Sequence, residues 1–335
     1  MEVLIINQAQ VRELLTIKAC MDVMAEALKT LTRGKAHMPL RSVMWLPDRI
    51  GALGMMPTYM TDPGIMGLKV ISVFPGNEGT EYDSHQGSVI LFDTEHGRPL
   101  AIVDASAITA IRTGAVSGVA TGLLARKTAC DLAILGSGTQ AHAHLEAMLR
   151  VRPIRRIRVW SLPHERTLRF AERESKLHGM TVEPSGSAQE AVSGADIICT
   201  TTASPEPILF GEWIAEGAHI NAVGACTPPT RELDTRAVVK SRLFVDLRAS
   251  TLNEAGDFLI PKKEGAIRDD HILGEIGEIL TGDVEGRRSE KEITLFKSLG
   301  LAVEDLASAR HIYIKALEKG IGTSVELGGS RDGNA

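Results

Sequence analysis

One segment, residues 131–150, constrains what this chain can fold into more than any other. An apolar run, Leu132–Leu135, is followed directly by Gly136, Gly138 and Ala141 in the pattern GxGxxA, and a helical pattern begins there. The first glycine permits a tight turn, the second lets backbone approach a pyrophosphate, and the small third residue lets the helix pack on the strand. The segment therefore predicts the strand–turn–helix unit of a Rossmann domain that binds NAD or NADP; a turn that serves packing alone is the alternative.

The alternation of strand and helix continues downstream of this unit. Further apolar runs predict strands at Ile157–Trp160, Ala195–Cys199, Ile220–Val223 and Leu243–Asp246, and helical patterns fall between the early ones at Ala141–Leu149 and Glu165–Leu177. Such alternation is typical of an α/β fold with a doubly wound parallel sheet. We therefore assign residues 127–304 to a Rossmann dinucleotide-binding domain.

The first third of the chain has a different pattern. A helical pattern at Val11–Gly34 precedes short β-rich runs separated by turns, at Ser42–Trp45, Gly67–Val73, Ser88–Phe92 and Leu100–Val103. These runs predict a mostly antiparallel sheet, and an Ala- and Gly-rich helix at Ser106–Arg126 leads into the Rossmann domain. A last helix, Leu301–Lys319, is expected to pack back on the first domain. A chain of 335 residues is long enough for two cores, so residues 1–126 and 305–335 are predicted to form a second, α+β domain.

Charge and composition limit the partners. A formal net charge of -5 gives no electrostatic reason to expect nucleic acid or an anionic membrane, so a small molecule is the expected partner. No apolar run approaches the ~20 residues that span a bilayer, and the first residues lack a secretory signal, so we expect a cytoplasmic protein. The four cysteines are scattered without a CxxC pair, which predicts reduced thiols and no metal site.

The end of the second Rossmann strand bears on the choice between NAD and NADP. An acidic residue there binds the ribose 2′-hydroxyl of NAD, whereas a basic group accommodates the 2′-phosphate of NADP. This chain has Ser161 at that position, with His164 and Arg166 as candidate phosphate partners, which favours NADP. Glu165 is able to bind a ribose instead, so NAD remains open.

Three basic residues lie in settings that surface charges rarely occupy. Lys69 is within the apolar run Leu68–Val73, Arg41 follows a Met-Pro-Leu segment, and Arg112 is among small residues of the connecting helix. A buried cation needs a counter-charge. From the pattern alone, either an internal Asp or Glu or the carboxylate of a substrate supplies it.

Six segments together resemble the ornithine cyclodeaminase and mu-crystallin family. They occur in family order and cover nearly the whole chain: Gly67–Val70 with Phe74-Pro75-x-Asn77, Ile108–Thr113, Gly136–Ala141, Asn221–Gly224, Arg231–Asp234 and Thr294–Gly300. The resemblance implies a homodimer whose α+β domain provides both the dimerisation sheet and the substrate-binding pocket. It also implies an NAD(P)-dependent enzyme of amino-acid metabolism.

The resemblance also implies roles for individual residues. Arg41, Lys69 and Arg112 match positions that bind the α-carboxylate of an amino or imino acid, and Arg geometry suits a planar carboxylate. The candidate cofactor residues are Thr113, Gly136, Gly138, Thr139, Gln140, Ser161, Arg166, Thr202, Val223, Ser298 and Gly300. For the polar members among them, ordinary capping and turn roles remain the alternative.

Two departures from the family pattern bear on the reaction. Cyclodeaminating and alanine-dehydrogenating members have an Asp after the Asn-Ala strand, where this chain has Cys226. Cyclodeaminases hold the distal amine with a Glu three residues before the Pro of a Met-Pro-Thr segment, where Gly54–Thr58 offers no acid. Reduction of a C=N bond therefore fits better than ornithine cyclisation.

We therefore hypothesise an NAD(P)H-dependent imine reductase. A 2-imino acid held by its carboxylate accepts a hydride, and the protein contributes mainly orientation and electrostatics. Lys69 and His85 are the candidate proton donors; His85 is alternatively an anchor for a second carboxylate or a structural hydrogen-bonding residue. Cyclic ketimines, iminosuccinate and the imine of pyruvate are candidate substrates. Ornithine cyclodeaminase and a non-enzymatic, mu-crystallin-like binding protein are the competing functions.

Overall fold

A computed structural model describes residues 2–77 and 79–327 of the chain. Two units are distinguished, the first formed by residues 1–112 and 301–335 and the second by residues 113–300. The predicted domain boundaries lie slightly later in the chain, after residues 126 and 304. The polar tail, residues 328–335, which the sequence analysis places in the first domain, lies outside the described residues.

The helices and strands succeed one another along the chain in three stretches. The first stretch contains β1 (Glu2–Ile6), α1 (Gln8–Leu14), α2 (Ile17–Thr32), β2 (Ala36–His37), β3 (Ser42–Trp45), β4 (Ala52–Thr61), β5 (Gly64–Val73), β6 (His85–Phe92), β7 (Pro99–Asp104) and α3 (Ala105–Leu124). The middle stretch contains β8 (Asp131–Leu135), α4 (Thr139–Val151), β9 (Arg156–Trp160), α5 (His164–His178), β10 (Val182–Pro184), α6 (Ala188–Val192), β11 (Ile197–Thr200), β12 (His219–Ala222), α7 (Thr235–Lys240), β13 (Arg242–Val245), α8 (Arg248–Glu254), α9 (Gly256–Lys263), β14 (Ile272–Glu275), α10 (Ile276–Thr281) and β15 (Thr294–Lys297). The chain then returns to the first unit with α11 (Ala302–Lys319) and β16 (Thr323–Glu326).

The sheet of the first unit is mixed. Its strand order is β16-β1-β7-β6-β5-β4-β2, with β3 paired on β4, and its pairs are antiparallel except β1 with β7. Helix α11 packs on α2 and on strands β4, β5 and β6. Strand β4 is not among the predicted strands, because Gly54 and Pro57 lie inside it and both residue types weaken a strand assignment.

The single helix predicted over Val11–Gly34 is wrong, since two helices occupy this region. Helix α1 ends at Leu14, and Thr16 starts α2 by accepting a hydrogen bond from the backbone N–H of Ala19 at 3.3 Å. A threonine at this position satisfies a helix N–H that has no partner within the helix. The apolar spacing is continuous through the break, which is why periodicity alone did not reveal it.

The second unit has the predicted doubly wound architecture. All pairs of its sheet are parallel, in the order β10-β9-β8-β11-β12-β15-β13-β14. Strand β8 lies between β9 and β11, so the chain reverses its direction of winding at β8. In such sheets ligands bind at the carboxyl ends of the strands beside this switch point. The predicted fold class is confirmed.

Helix α3 is the one helix among the described residues whose length and composition would allow it to cross a membrane. In its most apolar window, however, 72% of the residues are buried inside the protein. A core helix of a globular protein has the same composition, because it is apolar on all sides.

Candidate functional site

The first unit buries a cluster of two cations and two carboxylates. Lys69 is on β5, where alternate residues face the core, and its side chain is only 3% exposed. Arg112 projects from α3 and is also buried. Glu304 and Asp305 are in the first turn of α11, where negative charge is favourable next to the positive end of the helix dipole.

Hydrogen bonds connect all four side chains. Lys69 donates from Nζ to Oδ1 of Asp305 at 3.0 Å, and Arg112 donates from Nε to the same oxygen at 3.1 Å. Arg112 also donates from Nη1 to Oε2 of Glu304 at 3.0 Å. The other carboxylate oxygen of Asp305 is buried without a hydrogen-bond partner among the described residues. Asp305 therefore fixes Lys69 and Arg112 relative to each other through a single oxygen.

The cluster perturbs the ionisation of its members. Burial lowers the pKa of Lys69 to about 8, the charges of Arg112 and Arg41 act in the same direction, and Asp305 opposes them. Burial alone would raise the pKa of Asp305, but the charges of Arg112 and Lys69 keep it below its ordinary value. Lys69 is therefore a cation that can release its proton near neutral pH.

The sequence left two sources open for the counter-charge of the buried cations, an internal acid or a substrate carboxylate, and the structure contains internal acids. Glu304 and Asp305 supply the internal counter-charge for Lys69 and Arg112, and the sequence analysis did not name either acid. In the sequence they are two adjacent acids at the start of the last helix, a place where acidic residues are common for other reasons. Arg41 is half-buried and adds a third positive charge that acts on Lys69.

The residue opposite Lys69 is apolar. In the pairing of β4 with β5, Met56 is the direct partner of Lys69, and it is buried. Gly54, three residues before Pro57 and the position at which a cyclodeaminase was expected to have an acid, pairs with Ile71. The neighbourhood of the lysine therefore provides no anion from this strand for a second amine.

His85 begins β6, and its side chain is exposed. Its Nδ1 is 3.0 Å from the hydroxyl of Ser84, and its backbone carbonyl accepts a hydrogen bond from Ser106 at 2.6 Å. Desolvation lowers the pKa of His85, with Asp83 opposing and the charge of Lys69 assisting. His85 is thus mostly neutral at pH 7 and within electrostatic reach of Lys69, but the structure gives no hydrogen bond between them.

In the second unit, most of the predicted cofactor residues lie at one edge of the sheet. Gly136 to Gln140 follow the carboxyl end of β8, Ser161 follows β9, and Thr202 follows β11. Val223 follows β12, and Ser298 and Gly300 follow β15. Thr113 is on α3 and Arg166 is in the first turn of α5. The sequence order scatters these residues, and the parallel sheet brings the strand ends together.

The glycine turn has the geometry that a bound dinucleotide requires. Gly136 has φ +125, and a Cβ there would be 2.5 Å from the hydroxyl oxygen of Thr201, so only glycine fits. A Cβ on Gly138 would meet no atom within 4 Å, and no side chain caps α4 at this residue. The open space and uncapped N–H groups suit a pyrophosphate. The buried hydroxyl of Ser298, which has no hydrogen-bond partner among the described residues, is a further polar group available to a ligand.

Ser161 is buried at the end of β9. Its hydroxyl donates to the hydroxyl of Ser137 at 2.8 Å, and its backbone N–H donates to Thr167 at 2.8 Å. Arg166 is half-buried, whereas His164 and Glu165 are exposed. Ser161 thus links the second strand to the glycine turn.

Glu232, which the sequence analysis did not single out, joins two of the strand-end loops. Its Oε1 accepts from the backbone N–H and the hydroxyl of Thr202 at 2.6 and 2.7 Å. Its Oε2 accepts from the hydroxyl of Thr200 at 2.8 Å and from the N–H of Gly224 at 2.7 Å. Burial and the charge of Asp257 raise its pKa. The carboxylate thereby fixes the loops after β11 and β12 at the candidate cofactor edge.

We expect Glu232→Gln to loosen both loops. A glutamine NH₂ group would face an N–H or hydroxyl donor in place of a carboxylate oxygen, leaving at least one buried donor unpaired at a cost of about 1–3 kcal/mol. Urea unfolding measures this loss, and NADH titration should give a weaker affinity. Glu216→Gln, a change at an exposed position of the same unit, is the control. Unfolding curves that coincide for wild type and Glu232→Gln would contradict this role.

Cys226 is half-buried in the loop after β12, and its thiol donates to the carbonyl of Val223 at 3.3 Å. Nearby, Lys297 forms an ion pair with Asp257 at 3.0 Å. Burial would lower the pKa of Lys297, but Asp257 and, to a smaller extent, Cys226 raise it above its ordinary value. The four cysteines are free, and Cys20 and Cys199 are fully buried. A thiol thus occupies the position at which an Asp is expected for cyclodeamination or alanine dehydrogenation.

Comparison with known proteins places the chain among reductases. A model of the ornithine cyclodeaminase/mu-crystallin family matches residues 1–320. Delta(1)-pyrroline-2-carboxylate reductase of Bacillus thuringiensis subsp. konkukian is 36% identical over 325 residues, which are 97% of this chain and 100% of the relative. Ketimine reductase mu-crystallin of Mus musculus is 41% identical over 280 residues, 84% of this chain and 85% of the relative.

A solved structure agrees with this result. Thermococcus litoralis Delta(1)-pyrroline-2-carboxylate reductase in complex with NADH and L-proline superposes with a TM-score of 0.94 and 41% sequence identity. The alignment covers 96% of this chain and 100% of that one. The similarity therefore extends over both units.

Proposed function

This chain belongs to the ornithine cyclodeaminase/mu-crystallin family, and we propose that it reduces Delta(1)-pyrroline-2-carboxylate, a cyclic 2-imino acid, to proline. The relatives described above are reductases of C=N bonds, and the solved one contains NADH. The protein is accordingly an oxidoreductase that uses NAD(P)H, and the predicted family is confirmed. The particular imine, the cytoplasmic location and the roles of individual residues are parts of the proposal.

The observation that carries the proposal is the pair of buried cations at Asp305. Lys69 and Arg112 both donate to Oδ1 of Asp305, and two cations held side by side suit the carboxylate of a 2-imino acid. Because Met56 is opposite Lys69 and β4 contains no acidic residue, this strand offers no anion for the distal amine of a diamine substrate. A cyclic imine with a single carboxylate satisfies both conditions.

The residues of the chain would act in three ways. The guanidinium groups of Arg41 and Arg112 bind and orient the carboxylate, and Lys69 holds a proton at Nζ for the imine nitrogen. Bound NADH or NADPH would supply a hydride, for which the strand-end loops and the glycine turn provide the binding site. With the hydride on carbon and the proton on nitrogen, C=N becomes CH–NH, and neutral Lys69 regains its proton from water.

A substrate screen tests the proposal. NADH and NADPH oxidation would be followed with Delta(1)-pyrroline-2-carboxylate, other cyclic ketimines, iminosuccinate, and pyruvate with ammonia. We expect the cyclic imine to give the highest kcat/KM, with one amino acid formed per cofactor oxidised. Both cofactors are included because Ser161 favours NADP whereas Glu165 leaves NAD open. Ammonia release from ornithine without net cofactor oxidation would instead identify a cyclodeaminase, and tight binding without turnover would identify a binding protein.

The pH dependence of the rate tests the proton donor. If Lys69 must be protonated, kcat should be level at low pH and fall as pH rises through its pKa of about 8. Asp305 raises that pKa, so Asp305→Asn should move the fall to lower pH. The measurement is kcat between pH 5.5 and 10 for wild type and variant, with circular dichroism to confirm folding. A fall at the same pH in both proteins would exclude Lys69 as the titrating group.

We also propose a homodimer formed through the first unit. Large apolar side chains are exposed on and beside β3 and β4, namely Leu40, Val43, Met44, Trp45 and Tyr59. An apolar patch of this kind is typical of an interaction surface. Light scattering should give twice the mass of one chain, and Trp45→Glu should produce a monomer.

A further inference from the structure

Two helices of the second unit bring together a set of metal-ligating side chains that the proposed reaction does not use. His142 is on α4, and Glu174 and His178 are on α5. One ligand atom from each of the three lies within 4.8 Å of the others. Glu174 and His178 are four residues apart, so they are neighbours on one helix face. Glu174 is fully buried, and the two histidines are partly accessible.

The distances are close to those within a coordination sphere. His142 Nδ1 is 2.8 Å from Glu174 Oε2, and His178 Nε2 is 3.4 Å from the same oxygen. His178 Nε2 is buried without a hydrogen-bond partner among the described residues. Ligand atoms bound to one ion at about 2.0–2.2 Å are separated by roughly 3 Å, so small side-chain rotations are enough to accommodate an ion.

We propose that His142, Glu174 and His178 form a binding site for a divalent transition-metal ion of the zinc class. Two imidazoles and one carboxylate are ligands that zinc accepts, whereas calcium and magnesium require mostly oxygen. A water molecule would complete the four-coordinate sphere that zinc prefers. Arg173 donates from Nε to Glu174 Oε1 at 2.7 Å, which leaves Oε2 for the metal and orients the carboxylate.

The ionisation of Glu174 is consistent with this assignment. Burial alone would raise its pKa, but hydrogen bonds from His142 and Arg173 lower it below the ordinary value. The carboxylate is therefore an anion at neutral pH. Rules based on cysteine spacing predict no metal site in this chain, because these ligands are brought together only by the packing of α4 and α5.

The ion would cross-link α5 to the first turn of α4, directly after the glycine turn at Gly136. Because a folded chain would bind the ion more tightly than an unfolded one, binding should stabilise the second unit. Zn²⁺ should therefore raise the melting temperature, and EDTA should reverse the effect.

The test uses Zn²⁺ and Co²⁺ with the full chain. Isothermal titration should give one Zn²⁺ per chain, and Co²⁺ should give the visible absorption bands of a four-coordinate site. We expect His178→Ala and Glu174→Gln each to weaken binding by at least about 100-fold, more than the loss of an outer partner costs. His96→Ala and Glu172→Gln are the controls, since both residues are exposed and lie outside the cluster.

His142→Gln provides a second variant in case removal of buried Glu174 prevents folding, because His142 is partly exposed. It should fold, bind Zn²⁺ at least about 100-fold more weakly, again more than the loss of an outer partner costs, and lose the rise in melting temperature. The proposal is overturned if wild type binds no Zn²⁺, or if folded His142→Gln and His178→Ala bind it as tightly as wild type does. Either result would leave the cluster as a hydrogen-bonded support for a buried carboxylate.

Discussion

Replacing Lys69 with methionine should reduce kcat/KM for the imino acid by about 1000-fold, within the range of roughly 10²–10⁴ that a positioned proton donor contributes. Lys69 is buried and shares one oxygen of Asp305 with Arg112. Methionine has a similar length but neither charge nor proton. The variant would thus lose both a carboxylate contact and the proposed donor. Steady-state kinetics with the better of the two cofactors measure the effect.

Two further variants separate binding from proton transfer. Lys69→Arg keeps the charge but does not release a proton, so its KM should stay near that of wild type while its kcat falls. Lys18→Met is the matched control, because Lys18 is exposed on α2, and it should leave both constants unchanged. If folded Lys69→Met keeps more than a tenth of wild-type kcat/KM, the assignment of the site is wrong.

The second large effect is expected at the glycine turn. Gly138→Val should weaken NADH and NADPH binding by about 100-fold, a loss of about 2.7 kcal/mol, while the fold remains stable. The free protein has room for the side chain, because a Cβ at Gly138 meets nothing within 4 Å and φ is −89. The same space is where a pyrophosphate would approach the backbone. Fluorescence titration measures affinity, and thermal unfolding measures stability.

Gly122→Val is the control for the glycine experiment. Gly122 is exposed on α3, and a Cβ there also meets nothing within 4 Å. We expect unchanged cofactor affinity in this variant. Equal affinity in Gly138→Val and wild type would mean that the turn supports packing alone, which is the alternative left open by its sequence.

The sequence predicts the second unit well because its signals are local. Strands β8, β9, β11, β12 and β13 of the parallel sheet are mostly buried and appear as apolar runs, and the glycine turn depends on residues within one short segment. By contrast, β4 contains Gly54 and Pro57, and the break between α1 and α2 depends on one capping residue, Thr16. Local rules do not reveal these features, because the apolar pattern continues through them.

The site was predictable only in part for a similar reason. Lys69 and Arg112 attract attention because a charge in an apolar segment is unusual. Their partner Asp305 is 236 residues from Lys69 in the sequence, so only the folded chain identifies it. Glu232 was missed because an acid before a helix resembles a solvated residue, although in the structure it accepts four hydrogen bonds.

Transfer of an isotope from the cofactor to the substrate tests the central claim most directly. Wild-type enzyme would be incubated with Delta(1)-pyrroline-2-carboxylate and NADH or NADPH carrying deuterium at the transferable positions of C4. We predict proline that carries one deuterium at C2, formed in equal amount to the oxidised cofactor, as measured by mass spectrometry and NMR. Proline without deuterium would contradict the proposed imine reduction. So would a lack of any imine consumption and cofactor oxidation with both NADH and NADPH.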